Sequence, residues 1–189
     1  EVMGYNYLSH GNIDEHYAKF PNQPSIGTEE SNTVRTRGVY VTDDSNQWLA
    51  PKNLYDGGME GGWKYYYERP FLSGLFYWTG FDYRGEPTPY GWPAVVSQFG
   101  IFDLCGFPKD NAYYLKSWWT EKPEPTIHME TNWNYNEGDS VNLVIYSNAK
   151  KVRLSINGKD LGVKQMPQNG HIMWPVKFEA GVILATGYD

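Results

Sequence analysis

The chain has 189 residues, and its 16 basic and 22 acidic side chains give a formal net charge of −6. Because no cluster of lysine or arginine accompanies this acidic balance, binding to nucleic acid is not expected. No apolar run approaches the roughly 20 residues of a membrane-spanning helix, so the sequence predicts no membrane partner either.

The first two-thirds of the chain alternates the patterns of strands and helices. Strands are predicted over residues 2–7, 25–29 and 72–78, and helices over residues 13–20, 62–69 and 108–119. Asn12 is the predicted N-cap of the first helix. A section rich in Gly, Asp and Asn at residues 42–62 indicates a long loop. The alternation of strand and helix is typical of a parallel α/β unit.

The pattern changes at residues 120–125, where two prolines and three charges indicate a linker. Short runs of alternating hydrophobicity follow at residues 141–146, 151–156 and 181–186. Asn157 and Gly158 form the dipeptide of a two-residue hairpin turn. Such strands predict an antiparallel β-sandwich of immunoglobulin type. We therefore predict two domains, residues 1–122 and residues 123–189.

The sequence offers no candidate for cofactor chemistry. The four histidines lack the spacing of metal ligands and no glycine-rich phosphate loop is present, so neither a metal nor a cofactor is predicted. Cys105 is the only cysteine, which excludes an internal disulfide, and its apolar neighbours predict a buried, inert thiol. The chain begins and ends within apparent strands, so we expect it to be a piece of a larger protein.

The most informative segment is the short apolar strand at residues 25–29, which ends on the paired carboxylates Glu29 and Glu30. Barrel enzymes keep their catalytic groups at the C-terminal ends of strands. A retaining glycosidase needs a carboxylate there as its nucleophile. The alternative is a solvated pair of carboxylates at a helix cap. Tyr7 ends the preceding predicted strand, and its phenol could donate a hydrogen bond that aims Glu29, which favours the catalytic interpretation.

The predicted strand at residues 72–78 opens into aromatic and acidic residues that suit a sugar pocket. Trp78 would form a wall against a pyranose ring, and the alternative is ordinary core packing. Asp82 and Glu86 either bind sugar hydroxyls or pair with Arg84 to shape a loop. The aromatic content of 17% fits exposed platforms and a large core equally well.

Several motifs resemble one protein family. They are Gly-Tyr-Asn-Tyr at residues 4–7, Ile-Gly-Thr-Glu at residues 26–29, the run at 77–90 that begins Tyr-Trp-Thr-Gly-Phe-Asp, and the run at 99–110 that ends Phe-Pro-Lys-Asp. These segments look like glycoside hydrolase family 2, in its bacterial β-galactosidase branch. Residues 152–162 are similar to the sandwich domain that follows the catalytic barrel in that family.

The resemblance implies a fold of the α/β plus all-β class. It consists of the C-terminal part of a (β/α)8 TIM barrel, strands six to eight, followed by an immunoglobulin-like β-sandwich. The implied substrate is a terminal β-galactoside, which is hydrolysed through a covalent glycosyl-enzyme without a cofactor. Glu29 falls at the position of the family's nucleophile, and Tyr7 at that of the tyrosine that orients it. Trp78 falls at the position of the sugar-pocket tryptophan on strand eight, and Asp82 and Glu86 fall in a loop near the site. The predicted substrate-binding residues are Asn6, Trp78, Asp82 and Glu86.

The resemblance also implies that the site is incomplete. The family's acid/base glutamate follows an asparagine at the end of barrel strand four, which lies upstream of Glu1. We therefore expect the chain alone to be inactive and to require the missing N-terminal part of the enzyme. Assembly into a homo-oligomer stays open, and export or secretion would suit such an enzyme although no residue encodes it. The alternatives are a non-catalytic carbohydrate-binding or scaffold module, and a relative specific for β-glucuronides or β-mannosides.

Overall fold

The computed structural model describes residues 1–7, 11–31, 34–40, 58–120 and 124–189. The chain divides into two compact units, one of Glu1–Thr36 with Val41–Phe107 and the other of Arg37–Tyr40 with Pro108–Asp189. Most of the predicted loop at residues 42–62 and the middle of the predicted linker lie outside the described residues.

The first unit contains a parallel sheet of three strands in chain order. The strands are β1 (Met3–Asn6), β2 (Ser25–Glu30) and β3 (Leu72–Tyr77), with β2 in the middle. Helix α1 (Ile13–Lys19) connects β1 to β2, and helix α2 (Gly58–Tyr67) precedes β3. Because parallel strands end at the same edge of a sheet, the residues that follow β1, β2 and β3 come together there.

Local chemistry sets the position of α1. The Asn12 side chain accepts a hydrogen bond from the Glu15 backbone N–H at 3.0 Å, which confirms the predicted N-cap. Ile13 is buried at 1% exposure and anchors the first turn. Both carboxylate oxygens of Asp14 accept from the Arg69 guanidinium at 2.7 Å. This bidentate contact links α1 to the residues that follow α2.

In its described residues, the second unit contains one helix and two antiparallel sheets. The helix is α3 (Asp110–Trp119), and the strands are β4 (Ile127–Glu130), β5 (Ser140–Ser147), β6 (Lys151–Ile156), β7 (Lys159–Gln165), β8 (Ile172–Lys177) and β9 (Ile183–Tyr188). One sheet has the order β4-β5-β8 and the other β7-β6-β9. Asn157 and Gly158 both have positive φ, 50° and 79°, and they form the predicted hairpin turn between β6 and β7.

Strands β4 and β8 were not predicted from the sequence. In β8 the reason is Pro175, since proline cannot donate to a sheet ladder and argues against a central strand. The structure accommodates Pro175 opposite Asn142 because β8 lies at the edge of its sheet. Helix α3 belongs to the second unit, so the compact units divide ahead of the predicted domain boundary at residues 122 and 123.

Helix α3 is held in the second unit by side-chain contacts of Asp110 and Tyr113. The Asp110 carboxylate lies 2.6 Å from the His128 Nε2 atom on β4, and the Tyr40 hydroxyl donates to the same carboxylate oxygen at 3.1 Å. The Tyr113 ring stacks on His128 with 3.9 Å between ring centroids. These contacts join the segment Arg37–Tyr40, α3 and β4.

The two antiparallel sheets share one hydrophobic core. It contains Val141, Leu143, Ile145, Val152, Leu154, Ile172, Trp174 and Phe178. The core residues of β6 and β8 alternate with more exposed residues, which is the period-two pattern of a strand with one buried face. Strand β5 is different, since it is buried on both faces from Leu143 to Ser147. The two sheets therefore pack face to face.

Replacing Leu143 by alanine is expected to lower the free energy of unfolding of the second unit by about 3 kcal/mol, because Leu143 is fully buried in this core and its loss leaves a cavity. Hydrogen exchange of peptides from β5, followed by mass spectrometry, measures the effect. Leu184→Ala on β9 is the matched control, since Leu184 is 58% exposed. Equal exchange in the two variants would contradict the assignment of Leu143 to the core.

The first unit combines a parallel sheet with helices, and the second consists mainly of strands, in agreement with the predicted order of an α/β segment and an all-β segment. That the parallel sheet belongs to a (β/α)8 barrel, and that the second unit is of immunoglobulin type, stay predictions. The predicted burial of Cys105 is wrong, since its side chain is exposed. The Asp103 carboxylate accepts from the backbone N–H groups of Cys105 and Phe107, both at 2.9 Å, and this tight turn keeps the thiol at the surface.

Candidate active site

Glu29 lies one residue before the end of β2, and both of its carboxylate oxygens have partners on β1 or directly after it. The Tyr7 hydroxyl donates to Oε1 at 2.6 Å, and the Asn6 Nδ2 atom donates to Oε2 at 3.4 Å. The first contact is much shorter than the second, which makes it the stronger of the two. The carboxylate is thus held firmly on one oxygen and loosely on the other.

The backbone at the end of β1 explains how Tyr7 reaches Glu29. A register shift between Tyr5 and Asn6 brings Asn6 opposite Glu29, and Tyr7 then takes a left-handed conformation with φ of 58°. The Tyr7 N–H donates to the Glu29 backbone oxygen at 2.7 Å. Bulges and left-handed residues of this kind re-aim side chains at functional sites, at a cost of about 1 kcal/mol or more.

Thr28 orients Asn6. The Thr28 hydroxyl lies 2.7 Å from Asn6 Oδ1 and donates to it, which leaves the Asn6 amino group directed at Glu29. Gly4 makes room for this threonine, because a side-chain carbon at residue 4 would lie 2.8 Å from Thr28 Cγ2. The pattern Gly-x-Asn-Tyr on β1 and Thr-Glu on β2 is therefore one cross-strand unit.

Trp78 follows β3 directly at the same edge of the sheet. Its backbone N–H donates to the Glu30 backbone oxygen at 3.0 Å, which ties the start of this segment to the residue after Glu29. The half-buried indole meets Tyr83 edge to face, with 6.1 Å between ring centroids. Trp78 is thus placed beside β2 with its ring supported by Tyr83.

Asp82 and Glu86 have different surroundings. The Asp82 carboxylate accepts from the Gly100 backbone N–H at 2.8 Å, and the Asp82 N–H donates to the Phe102 carbonyl at 2.9 Å. These contacts fit the loop-shaping alternative for Asp82, and its substrate-binding role stays a prediction. Glu86 is exposed and accepts from the Tyr83 hydroxyl at 3.1 Å. Through Tyr83 it connects to Trp78.

Sequence reasoning missed the burial of Glu30. The alternative of a solvated carboxylate pair at a helix cap is wrong, because both residues belong to β2 and Glu30 is only 1% exposed. The Tyr66 hydroxyl on α2 donates to Glu30 Oε1 at 2.9 Å. A signal was present in Gly27, where the absence of a side chain gives Tyr66 room to approach β2. This signal could not be interpreted from the sequence, because Tyr66 lies on α2, which is distant from Gly27 along the chain.

Two features of the described residues concern metal binding and membrane insertion. In the described part of the chain, no three His, Cys, Asp or Glu side chains come together as metal ligands would. Within the same residues, the helices are too short and too polar to cross a membrane.

Comparison with known proteins places the chain among the glycoside hydrolases. It is 38% identical to the β-galactosidase BoGH2A of Bacteroides ovatus, over 97% of this chain and 24% of that protein. It is also 38% identical to a protein of Formosa agariphila named as a putative β-glucuronidase, over 88% of this chain and 20% of that protein. The crystal structure of a β-glycosidase from Bacteroides vulgatus matches 98% of this chain and 29% of its own, with a TM-score of 0.82 and 27% identity.

The chain belongs to glycoside hydrolase family 2, as the resemblance of its motifs predicts. Residues 138–189 also match a family model described as a domain of unknown function, DUF4982. The chain spans between a fifth and a quarter of the length of these two curated relatives.

Tyr7→Phe is expected to lower kcat by about 10-fold to 100-fold in the full-length protein. A hydrogen bond to a charged group is worth about 1.5–3 kcal/mol, and each 1.36 kcal/mol corresponds to about tenfold in rate. Steady-state hydrolysis of an aryl glycoside measures the change. Tyr17→Phe on α1, whose side chain is exposed, is the control and should behave as wild type. Wild-type kcat in Tyr7→Phe would contradict the orienting role.

Proposed function

We propose that this chain carries the nucleophile half of the active site of a retaining β-glycoside hydrolase. The observation that supports this most is the contact of 2.6 Å between the Tyr7 hydroxyl and the Glu29 carboxylate at the C-terminal edge of the parallel sheet. A carboxylate that is aimed by a phenol, beside a tryptophan, provides a nucleophile and an aromatic surface for a sugar ring.

In the proposed reaction, Glu29 attacks the anomeric carbon while the glycosidic oxygen leaves with a proton from the acid/base residue. The product of this step is a sugar joined to Glu29 by an ester bond. A water molecule, deprotonated by the same acid/base residue, then displaces Glu29 and releases the sugar with its original configuration. Tyr7 holds Oε1, so Oε2, with its longer contact to Asn6, is the oxygen that attacks.

The acid/base residue is proposed to lie outside this chain. We propose that β1, β2 and β3 are strands six to eight of a (β/α)8 barrel, and that the second unit is an immunoglobulin-like domain after it. This arrangement is supported by the fraction of its relatives' length that the chain covers, which is 24% of the β-galactosidase and 29% of the β-glycosidase. The chain alone should then show no turnover of an aryl β-galactoside. Turnover that Glu29→Gln removes would show instead that these residues contain the acid/base.

The proposed substrate is a terminal β-galactoside, supported by 38% identity over 97% of the chain to a β-galactosidase. A β-glucuronide is the second candidate, supported by an equal identity over 88% of the chain to a putative β-glucuronidase. Aryl β-galactoside, β-glucuronide and β-mannoside, offered to the full-length protein at equal concentrations, separate these candidates by kcat/KM. Preference for the glucuronide or the mannoside would overturn the galactoside assignment.

A non-catalytic carbohydrate-binding module is the alternative from another class. Covalent labelling tests catalysis directly. The probe is a β-galactoside in which fluorine replaces the hydroxyl next to the anomeric carbon. Fluorine destabilises the positively charged transition states, so both formation and hydrolysis of the glycosyl-enzyme slow. A good leaving group speeds up formation of the glycosyl-enzyme but not its hydrolysis. The glycosyl-enzyme then accumulates, and peptide mass spectrometry locates the sugar. Label on Glu29 is the expected result, whereas reversible binding without any label would favour the module.

A further inference from the structure

Glu30 is a buried acidic residue that the proposed reaction does not use. It is the last residue of β2, and it is 1% exposed. The Tyr66 hydroxyl on α2 donates to Oε1 at 2.9 Å. Burying a carboxyl group is costly unless hydrogen bonds compensate for the lost water. A buried acid directly beside the candidate nucleophile therefore calls for a structural reason.

The position of Glu30 connects three parts of the site. Successive side chains of a strand point to opposite faces, so Glu30 points to α2 while Glu29 points to Tyr7. The backbone oxygen of Glu30 accepts from the Trp78 N–H at 3.0 Å. A shift of Glu30 toward or away from α2 would thus move the backbone of Glu29 and the start of the Trp78 segment together.

Two glycines allow α2 to approach the end of β2 closely. A side-chain carbon at Gly27 would lie 2.7 Å from Tyr66 Cζ and 3.0 Å from Glu30 Cγ, so Tyr66 occupies the space that a larger residue would fill. On the helix, a side-chain carbon at Gly62 would lie 2.8 Å from Ser31 Cβ. Gly27 and Gly62 therefore bring the helix and the strand end into direct contact on both sides of Glu30.

The surroundings of Glu30 are otherwise rich in phenols. Burial raises the pKa of Tyr66, and the hydrogen bond to Glu30 and the charge of Glu30 add to this effect. Burial and the charge of Glu30 also raise the pKa of Tyr77. Both phenols therefore stay protonated over the working range of an enzyme, and Tyr66 remains a donor to Glu30 throughout.

We propose that Glu30 and Tyr66 form a positioning pair that fixes the backbone of Glu29 for attack on the sugar. This inference rests on the proposed function, since it gives the pair a purpose only if Glu29 is the nucleophile. If Glu29 is displaced, the sugar can still bind, because the pocket itself is unchanged. Loss of the pair should therefore slow formation of the glycosyl-enzyme while binding of the sugar is retained.

The test uses the full-length protein and the variant Tyr66→Phe, which removes the hydroxyl and keeps the ring. Single-turnover release of an aryl leaving group from the β-galactoside measures glycosylation, and inhibition by free galactose measures ground-state binding. Since a misplacement on the order of 1 Å costs about 100-fold, we expect glycosylation to slow by about 10-fold to 100-fold, with the inhibition constant unchanged within about twofold. Glu30→Gln, in which Tyr66 is intact, keeps an oxygen that can accept from the Tyr66 hydroxyl and should retain most of the wild-type rate.

Tyr67→Phe is the matched control, because Tyr67 is the next residue of α2 and its side chain is 54% exposed. If Tyr66→Phe does not fold, Glu30→Asp applies the same test, since it keeps the charge but draws the carboxylate away from Tyr66. Glycosylation at the wild-type rate in the tested variant, or an equal loss of glycosylation and of galactose binding, would overturn the positioning role. The proposed function would still stand if Glu29→Gln is inactive. Turnover that persists in Glu29→Gln would instead overturn the proposed function.

Discussion

Replacing Glu29 by alanine in the full-length protein is expected to reduce hydrolysis of an aryl β-galactoside by about 1,000-fold or more, equivalent to about 4 kcal/mol of transition-state stabilisation. The variant lacks the group that is proposed to form the covalent intermediate, while Tyr7 and Asn6, which contact that group in the wild type, remain. Binding of the sugar should persist, because Trp78, the proposed aromatic wall, is unchanged. Steady-state kinetics and inhibition by free galactose measure the two effects.

Azide extends this test to the geometry of the site. In Glu29→Ala the space left by the carboxylate admits a small anion, which can attack the anomeric carbon from the same side as Glu29 would. The leaving group again departs with a proton from the acid/base residue. The expected product is therefore the α-galactosyl azide, opposite in configuration to the β-galactoside, and proton NMR identifies it.

Glu68→Ala is the control for Glu29→Ala, since Glu68 is an exposed carboxylate of the same unit beyond the end of α2. It should retain wild-type hydrolysis and gain nothing from azide. A β-configured azide product, or full activity without azide, would show that Glu29 is not the nucleophile.

Replacing Gly100 by alanine is expected to destabilise the first unit by about 3 kcal/mol and to impair activity. A side-chain carbon at residue 100 would overlap the backbone atoms of Phe81, Asp82 and Phe102. Backbone cannot rotate away as a flexible side chain can, so the segment must move. The Gly100 N–H also donates to the Asp82 carboxylate at 2.8 Å, and this bond would be lost or distorted.

The damage should reach the candidate site through backbone hydrogen bonds. The Thr79 N–H donates to the Phe99 carbonyl at 3.3 Å, and the Ile101 N–H donates to the Thr79 carbonyl at 2.9 Å. Trp78 directly precedes this paired segment. Displacement of residues 99–102 therefore shifts the indole that is proposed to contact the sugar, and KM should rise together with a fall in kcat.

Gly91→Ala provides a matched control, because a side-chain carbon at residue 91 would have no neighbour within 4 Å. Both variants add one methyl group to the same unit, but only the methyl group at residue 100 overlaps backbone atoms. Calorimetry of the full-length protein and steady-state kinetics compare them. Equal melting temperatures for Gly100→Ala and Gly91→Ala would contradict the close approach seen at Gly100.

The features that sequence reasoning predicted correctly are those that short-range chemistry decides. Asn12 caps α1 through a residue three positions away, and Asn157 with Gly158 turns the chain within a single hairpin. The alternation of apolar and polar residues predicted β6, since a strand with one buried face has a period of two, and the apolar run at residues 143–146 marks β5, which is buried on both faces there. The family motifs indicated Glu29 and Tyr7, and the structure brings these two side chains into contact.

The features that only the tertiary structure decided depend on segments far apart in the sequence. The sequence pattern suggested burial for neither carboxylate of the pair, whereas Glu30 is buried and accepts a hydrogen bond from Tyr66, 36 residues later. Asp82 binds the Gly100 N–H, 18 residues away. Cys105 lies among apolar residues along the chain, yet the Asp103 turn leaves it exposed. The burial of a side chain and its hydrogen-bond partners depend on which surfaces pack together in the folded chain. The neighbouring residues in the sequence do not specify this packing.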